Sequence, residues 1–125
     1  MKPIQTQEEA RREVRKLRQK IGKIRNLASQ LERRKREGER LSGAIDDLKL
    51  NASGEKKVAK AIKRCFGIVE RGFQIDRETA ALRTSLKTAI VDMVAILDRL
   101  KVCTFEEAVK QAAECRALLP DVSSL

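Results

Sequence analysis

The sequence predicts an all-α fold, and three observations carry that prediction. Near the N-terminus, apolar residues recur at alternating steps of three and four, the heptad spacing of a coiled-coil helix. Two Thr-x-x-Glu segments precede apolar runs, as capping boxes do at helix N-termini. Aromatic residues make up 2% of the chain, so aliphatic side chains must build the core. We expect a long N-terminal coiled-coil-like helix in residues 1–50, followed by a small bundle of three further helices in residues 51–125.

The first helix is predicted to start at a capping box, with Thr6 accepting from the Glu9 amide while the Glu9 side chain reaches back. Its apolar stripe covers about 100° of the helical wheel, so it should pack against one partner helix. The residues of this N-terminal seam are Val14, Leu17, Ile21, Ile24, Ala28 and Leu31. The seam resumes out of phase at Leu41. We favour a continuous helix over residues 7–50, and the alternative is a break near Gly38 or Gly43.

A second helix is predicted over residues 55–71, capped by Ser53 and stopped by Gly72. One face is apolar and is expected to serve the core. Its residues are Val58, Ala61, Ile62, Cys65, Phe66 and Val69. The opposite face is basic and contains no acid. Its residues are Lys56, Lys57, Lys60, Lys63 and Arg64.

Two more helices complete the predicted bundle. Asp76 can cap a third helix over residues 77–101, whose apolar arc of about 160° indicates at least two neighbours and the centre of the core. A second capping box at Thr104 begins a fourth helix over residues 105–119, and Pro120 follows it.

The lengths of these helices predict a role for the N-terminal seam. A first helix of this length would extend beyond any bundle formed by the shorter helices, and an uncovered apolar stripe is unstable in water. We therefore expect the seam to pair with a copy of itself, a dimer above all, or with another protein.

The charge of the chain indicates the class of its partner, and its cysteines indicate the cellular compartment. The net charge is +10, with 28 Lys and Arg against 18 Asp and Glu, and the excess lies in the first two thirds of the chain. Such a surface attracts polyanions, although a solvated helix surface is the alternative. Three cysteines without a CxxC pair suit a reducing, cytoplasmic setting. The sequence has no signal-peptide pattern and no apolar run long enough to span a membrane.

No catalytic or cofactor pattern is present in the sequence. The chain has no histidine to activate a nucleophile or to complete a zinc site. Its glycines match no phosphate-binding loop, and Ser53 with Lys56 matches a Ser-x-x-Lys motif in letters only. We expect a protein that is not an enzyme and needs neither a metal nor another cofactor.

Two basic features are the candidate functional residues. The aligned set Lys56–Arg64 suits phosphate contact, whereas a second run fans around its helix. That run consists of Arg33, Arg34, Lys35, Arg36 and Arg40. The leading hypothesis is an oligomeric protein that binds DNA or RNA through phosphate contacts without sequence specificity. The alternative is an adaptor, assembly subunit or chaperone whose first helix docks on a partner protein. Membrane-surface binding and helix-turn-helix reading of DNA are weaker alternatives.

Overall fold

The computed structural model describes residues 3–51 and 54–122, and the side chains of all these residues except 49–51 and 56. The described residues form three helices. The helices are α1 (Gln7–Asn51), α2 (Glu55–Lys101) and α3 (Glu106–Arg116), and the described ranges contain no strand. The all-α prediction is confirmed, and α1 continues through Gly38 and Gly43. The prediction of three further helices is wrong, because two of them are a single helix. None of the described helices is long and apolar enough to cross a membrane.

The helix α2 continues through the predicted stop at Gly72 and the predicted start at Asp76. One glycine inside a helix costs about 1 kcal/mol, which tertiary contacts can outweigh. Arg71, the residue before this glycine, donates to Glu37 of α1 over 2.7 Å and to Glu78, two turns further along α2, over 3.4 Å. These contacts hold both sides of Gly72 in one helix.

The two predicted capping boxes have different outcomes. At the start of α1, the Glu9 amide donates to the Thr6 hydroxyl over 3.1 Å, as predicted, and the Glu9 carboxylate accepts from the Gln5 amide. At the start of α3, the predicted Thr104 box is wrong. Phe105 occupies the N-cap position without a side-chain hydrogen bond, so the threonine lies one residue too early to reach the first turn.

The turn between α1 and α2 ends at Gly54, which has a φ of 82°. Its carbonyl accepts the first hydrogen bond of α2 from the Val58 amide, at 2.9 Å. A left-handed conformation of this kind favours glycine. Ser53, the predicted cap of this helix, lies outside the described residues together with Ala52.

The glycines give a matched pair of stability predictions. A Cβ added at Gly67, inside α2, meets no atom within 4 Å, so we expect Gly67→Ala to raise the free energy of unfolding by about 0.5–1 kcal/mol. Gly54→Ala also meets open space, but its positive φ should make it destabilising by about 1–2 kcal/mol. Urea unfolding followed by far-ultraviolet circular dichroism measures both. Equal effects of the two substitutions would contradict the assigned backbone conformations.

The chain divides into two compact units, and each long helix contributes to both. Unit 1 comprises the described parts of residues 1–29 and 83–125, and unit 2 comprises residues 30–82. These units differ from the predicted division between residues 50 and 51. The difference arises because each of the two long helices continues from one unit into the other.

Unit 1 contains most of the buried apolar side chains. The first part of α1 pairs antiparallel with the last part of α2, as the ion pairs Glu13–Arg99 at 2.9 Å and Lys20–Asp92 at 3.1 Å show. The short helix α3 adds a third buried face. The buried residues that α2 and α3 supply are Leu86, Ala89, Met93, Ile96, Leu100, Ala108, Ala112 and Cys115.

The N-terminal seam is buried within the chain itself. All six of its residues are at most 8% exposed, and Leu17 is 0% exposed. The expectation that the first half of α1 lacks cover is therefore wrong. It rested on a short third helix, whereas α2 has 47 residues. The side chains of the seam therefore pack against other residues of the same chain.

Unit 2 is a pair of antiparallel helices with a thin core. The ion pairs Arg34–Glu78, at 2.6 Å, and Glu37–Arg71 join the two helices. Among the described residues of this unit, only Leu31 and Ile75 are buried. Two helices form one layer, and a single layer cannot enclose its apolar side chains.

Candidate functional site

The basic residues predicted on α2 are exposed. Lys57, Lys60, Lys63 and Arg64 all lie at the surface of unit 2, and no acid among the described residues forms an ion pair with any of them. The side chain of Lys56 lies outside the described residues. Four unpaired cations within eight residues form a concentrated positive surface.

Helical geometry aligns three of these cations with Arg71. Lys57, Lys60 and Arg64 precede Arg71 by fourteen, eleven and seven residues, each close to a whole number of turns of about 3.6 residues. Lys63 is displaced from that line by about 80°. Because Arg71 contacts Glu37 of α1, this line lies on the side of unit 2 that carries the Glu37–Arg71 ion pair.

The basic run of α1 separates into three groups. Arg33 and Arg40 are exposed and lie four residues before and three after Glu37, so they share its side of α1. Ion pairs hold two others, Arg34 to Glu78 and Arg36 to Glu32, the latter over 3.5 Å. Lys35 is exposed on the other side of α1.

Five predicted residues therefore share one surface, here named the basic face. Its members are Arg33, Arg40, Lys57, Lys60 and Arg64. At 1.5 Å per residue, Lys57 lies about 21 Å from Arg71 along α2. In the opposite direction, Arg33 lies about 6 Å along α1 from Glu37, the ion-pair partner of Arg71. The face is therefore about 27 Å long.

The ion pair at the centre of this face is strongly coupled. The hydrogen bond from Arg71 holds the pKa of the Glu37 carboxyl below its ordinary value of 4.5, and the Arg34 and Arg40 charges act in the same direction. In return, the hydrogen bond to Glu37 raises the pKa of Arg71. The lowered pKa favours the ionised form of Glu37, whose ion pair with Arg71 joins α1 and α2 in unit 2.

An apolar stripe on the opposite side of α2 is the feature that the sequence reasoning missed. Its residues are large and exposed, by 41% to 67%. They are Val58, Ile62, Phe66, Val69 and Phe73. Each is displaced from Arg71 by about half a turn, so the apolar stripe and the basic face lie on opposite sides of the helix. The predicted core role is wrong for the first four, whereas Ala61 and Cys65 are partly covered.

A groove runs beside the apolar stripe within unit 2. It encloses about 380 Å³, with Leu41 and Ile45 of α1 on one wall and Val69 and Phe73 of α2 on the other. Gly38 and Gly72 also line it, and the lack of side chains at these positions opens the groove between the helices. The small residues Gly38, Ser42 and Gly43 on this part of α1 were a signal that the sequence offered, because they leave space beside α2.

A cleft of about 590 Å³ in unit 1 is lined mainly by apolar side chains of α2 and α3, among them Met93, Leu97 and Val109. A cleft of about 540 Å³ in unit 1 is lined by Arg12, Glu13, Lys16 and Arg99, which are engaged in ion pairs with one another or with Glu8. Within residues 3–51 and 54–122, no group of three or more Cys, Asp or Glu side chains could hold a metal ion. Unit 2, in contrast, presents a cationic surface on one side of α2 and an apolar one on the other.

Similarity to known proteins adds no assignment to this geometry. No family model matches the chain, and no curated protein and no solved structure matches it significantly.

Proposed function

We propose that the protein binds nucleic acid through phosphate contacts made by the basic face of unit 2. The observation that carries the proposal is the alignment of Lys57, Lys60 and Arg64, exposed and without ion-pair partners among the described residues, with Arg71 on one side of α2. Aligned cations can follow a sugar-phosphate backbone, and each neutralised phosphate releases a bound counterion.

The composition of the face favours binding without sequence specificity. Lys and Arg contact phosphates in any sequence, whereas base reading needs side chains that reach base edges or stack on them. Two of the three phenylalanines, Phe66 and Phe73, lie on the opposite side of α2. We therefore expect similar affinities for unrelated sequences and a strong dependence on salt.

Salt-dependent binding of the triple variant Lys57→Gln/Lys60→Gln/Arg64→Gln tests the proposal. Each lost phosphate contact should lower the slope of log affinity against log salt by about 0.9 for duplex DNA, so the slope should fall by about 2–3. The matched control, Arg11→Gln/Arg15→Gln/Arg18→Gln, removes the same charge from exposed positions of unit 1 and should change the slope little. A wild-type chain that binds neither DNA nor RNA at low salt overturns the function, and equal effects of the two variants overturn the site.

Purification gives an early answer to the same question. The chain has no Trp and no Tyr, so bound nucleic acid dominates its ultraviolet absorbance. Protein prepared at low salt without nuclease should carry an absorbance band that high salt removes.

The burial of the N-terminal seam favours nucleic-acid binding over the adaptor hypothesis. That hypothesis requires α1 to dock on a partner protein through the N-terminal seam, and those six side chains are buried within the chain. Docking there would require opening of the α1–α2 packing in unit 1, at a cost comparable to unfolding that unit.

A further inference from the structure

We infer that the apolar stripe of α2 is a homodimer interface, on which a second copy of the chain packs its own stripe in antiparallel orientation. The inference goes beyond nucleic-acid binding, because it concerns the side of α2 opposite the basic face. It also replaces the N-terminal seam as the surface for self-association.

The first support is that unit 2 has no second layer of helices to cover the apolar stripe. Phe66 and Phe73 are 67% and 62% exposed, and the stripe runs about 22 Å from Val58 to Phe73 at 1.5 Å per residue. A contiguous apolar surface of this length is unusual on a soluble monomer and marks an interaction site. A second pair of helices would complete a four-helix arrangement and cover both the stripe and the neighbouring groove.

The second support is that the stripe is self-complementary. Its residues are separated by four, four, three and four positions, so reading it backwards gives nearly the same pattern. An antiparallel pair centred between Cys65 and Phe66 brings Val58 opposite Phe73 and Ile62 opposite Val69. A two-fold axis requires such reciprocity, because each patch must fit its own copy. The small side chain opposite the large one favours interdigitation.

The third support is the charge pattern along the edge of the stripe. Glu55 and Arg77 lie eleven residues before and after Phe66, and Lys63 and Glu70 lie three before and four after it. Within two residues of the register that pairs the apolar side chains, Glu55 lies near Arg77 of the other copy and Lys63 lies near its Glu70. Because of the two-fold symmetry, each of these ion pairs occurs twice in the dimer. Within the described residues, none of these four side chains has an ion-pair partner in its own chain.

The net charge of +10 does not oppose this pairing at the interface. The basic face lies about half a turn away on α2, so pairing through the stripe directs the two basic faces outward and away from each other. Like charges separated by more than about 8 Å in physiological salt are largely screened.

Sedimentation equilibrium of nuclease-treated protein, from about 1 µM to about 200 µM, tests the interface over the range in which small interfaces associate. The wild-type chain should dimerise, and Phe66→Asp should raise the dimer dissociation constant at least 100-fold by facing two carboxylates at the centre. The matched control Val91→Asp changes a residue of nearly the same exposure, 66%, in unit 1 and should leave the constant unchanged. Because Phe66 is exposed, circular dichroism should show the same helix content for both variants.

Charge exchange tests the register. Lys63→Glu places two acids together at each edge contact and should weaken the dimer about tenfold, and adding Glu70→Lys should restore it. A chain that stays monomeric throughout the concentration range overturns the inference, as does a dimer that Phe66→Asp leaves intact. A monomer that binds anionic vesicles or an acidic helical peptide through Phe66 would also overturn it and assign the stripe to a different occupant.

Discussion

Replacing Leu17 by alanine is expected to lower the free energy of unfolding by about 2–5 kcal/mol, the range for large-to-small changes in well-packed cores. Leu17 is 0% exposed and lies on α1 among other fully buried residues of unit 1, including Val14, Ile24 and Leu100. Loss of its side chain leaves a cavity between rigid helices, which can collapse only in part. Urea unfolding followed by circular dichroism measures the change.

The exposed Leu118 provides the control for this substitution. It is 58% exposed, so Leu118→Ala should change stability by about 0.5 kcal/mol or less. The Leu17 variant also shows whether the N-terminal seam is part of the core or an interface with a second molecule. A buried core residue changes monomer stability without changing the dimer dissociation constant. If Leu17→Ala instead left the unfolding midpoint unchanged and abolished self-association, the seam would be an interface after all.

The sequence predicted the seam but not its partner. Alternating steps of three and four identify the side of α1 that is buried, because the heptad repeat reports helix periodicity directly. The repeat contains no information on which molecule supplies the other helix. The interpretation failed because α2 was divided at Gly72, which left no helix long enough to cover α1. The unfavourable helix propensity of Gly72, about 1 kcal/mol, is smaller than the stabilisation that tertiary packing provides.

The same error concealed the apolar stripe. An amphipathic helix is normally assigned with its apolar side in the core, and Val58, Ile62 and Phe66 fit that rule. The rule requires enough neighbouring helices to cover the arc, and unit 2 offers only α1. The opposing part of α1 contains Gly38, Ser42 and Gly43, so its cover is thin. Counting the available partner surface would have predicted exposure.

The candidate site was predictable residue by residue but not as a surface. Exposure of Lys57, Lys60 and Arg64 follows from their charge. Their alignment with Arg33 and Arg40 of α1 depends on the pairing of the two helices, which the Glu37–Arg71 contact sets. Nothing in the spacing of residues on one helix determines its register against another. Likewise, the sequence does not show that Arg34 and Arg36 form ion pairs with Glu78 and Glu32, which engages these two cations within the chain.

The second large effect is expected at the buried acid of unit 1. The side chain of Glu13 is 7% exposed, and one of its carboxylate oxygens accepts from Arg99 over 2.9 Å and from Lys16 over 3.3 Å. Glu13→Gln keeps the size of the side chain but leaves the partly buried Arg99 without this counter-charge. We expect a loss of about 1.5–3 kcal/mol, because the 7% exposed carboxylate of Glu13 makes charge-assisted hydrogen bonds that a neutral amide replaces only in part.

Two further variants show whether burial causes that loss. Glu8→Gln removes the same charge from the exposed Glu8–Arg12 pair, at 3.9 Å, and should cost less than about 1 kcal/mol. The double variant Glu13→Leu/Arg99→Leu replaces the buried acid and the partly buried Arg99 by apolar side chains and should recover part of the stability lost in Glu13→Gln, since burying a charge carries its own desolvation cost. If Glu13→Gln and Glu8→Gln had equal effects in urea unfolding, Glu13 would not be a buried ion. The double variant could instead be less stable than Glu13→Gln. In that case the interactions of the Glu13 and Arg99 side chains would outweigh their desolvation cost and would stabilise the packing of α1 against α2 in unit 1.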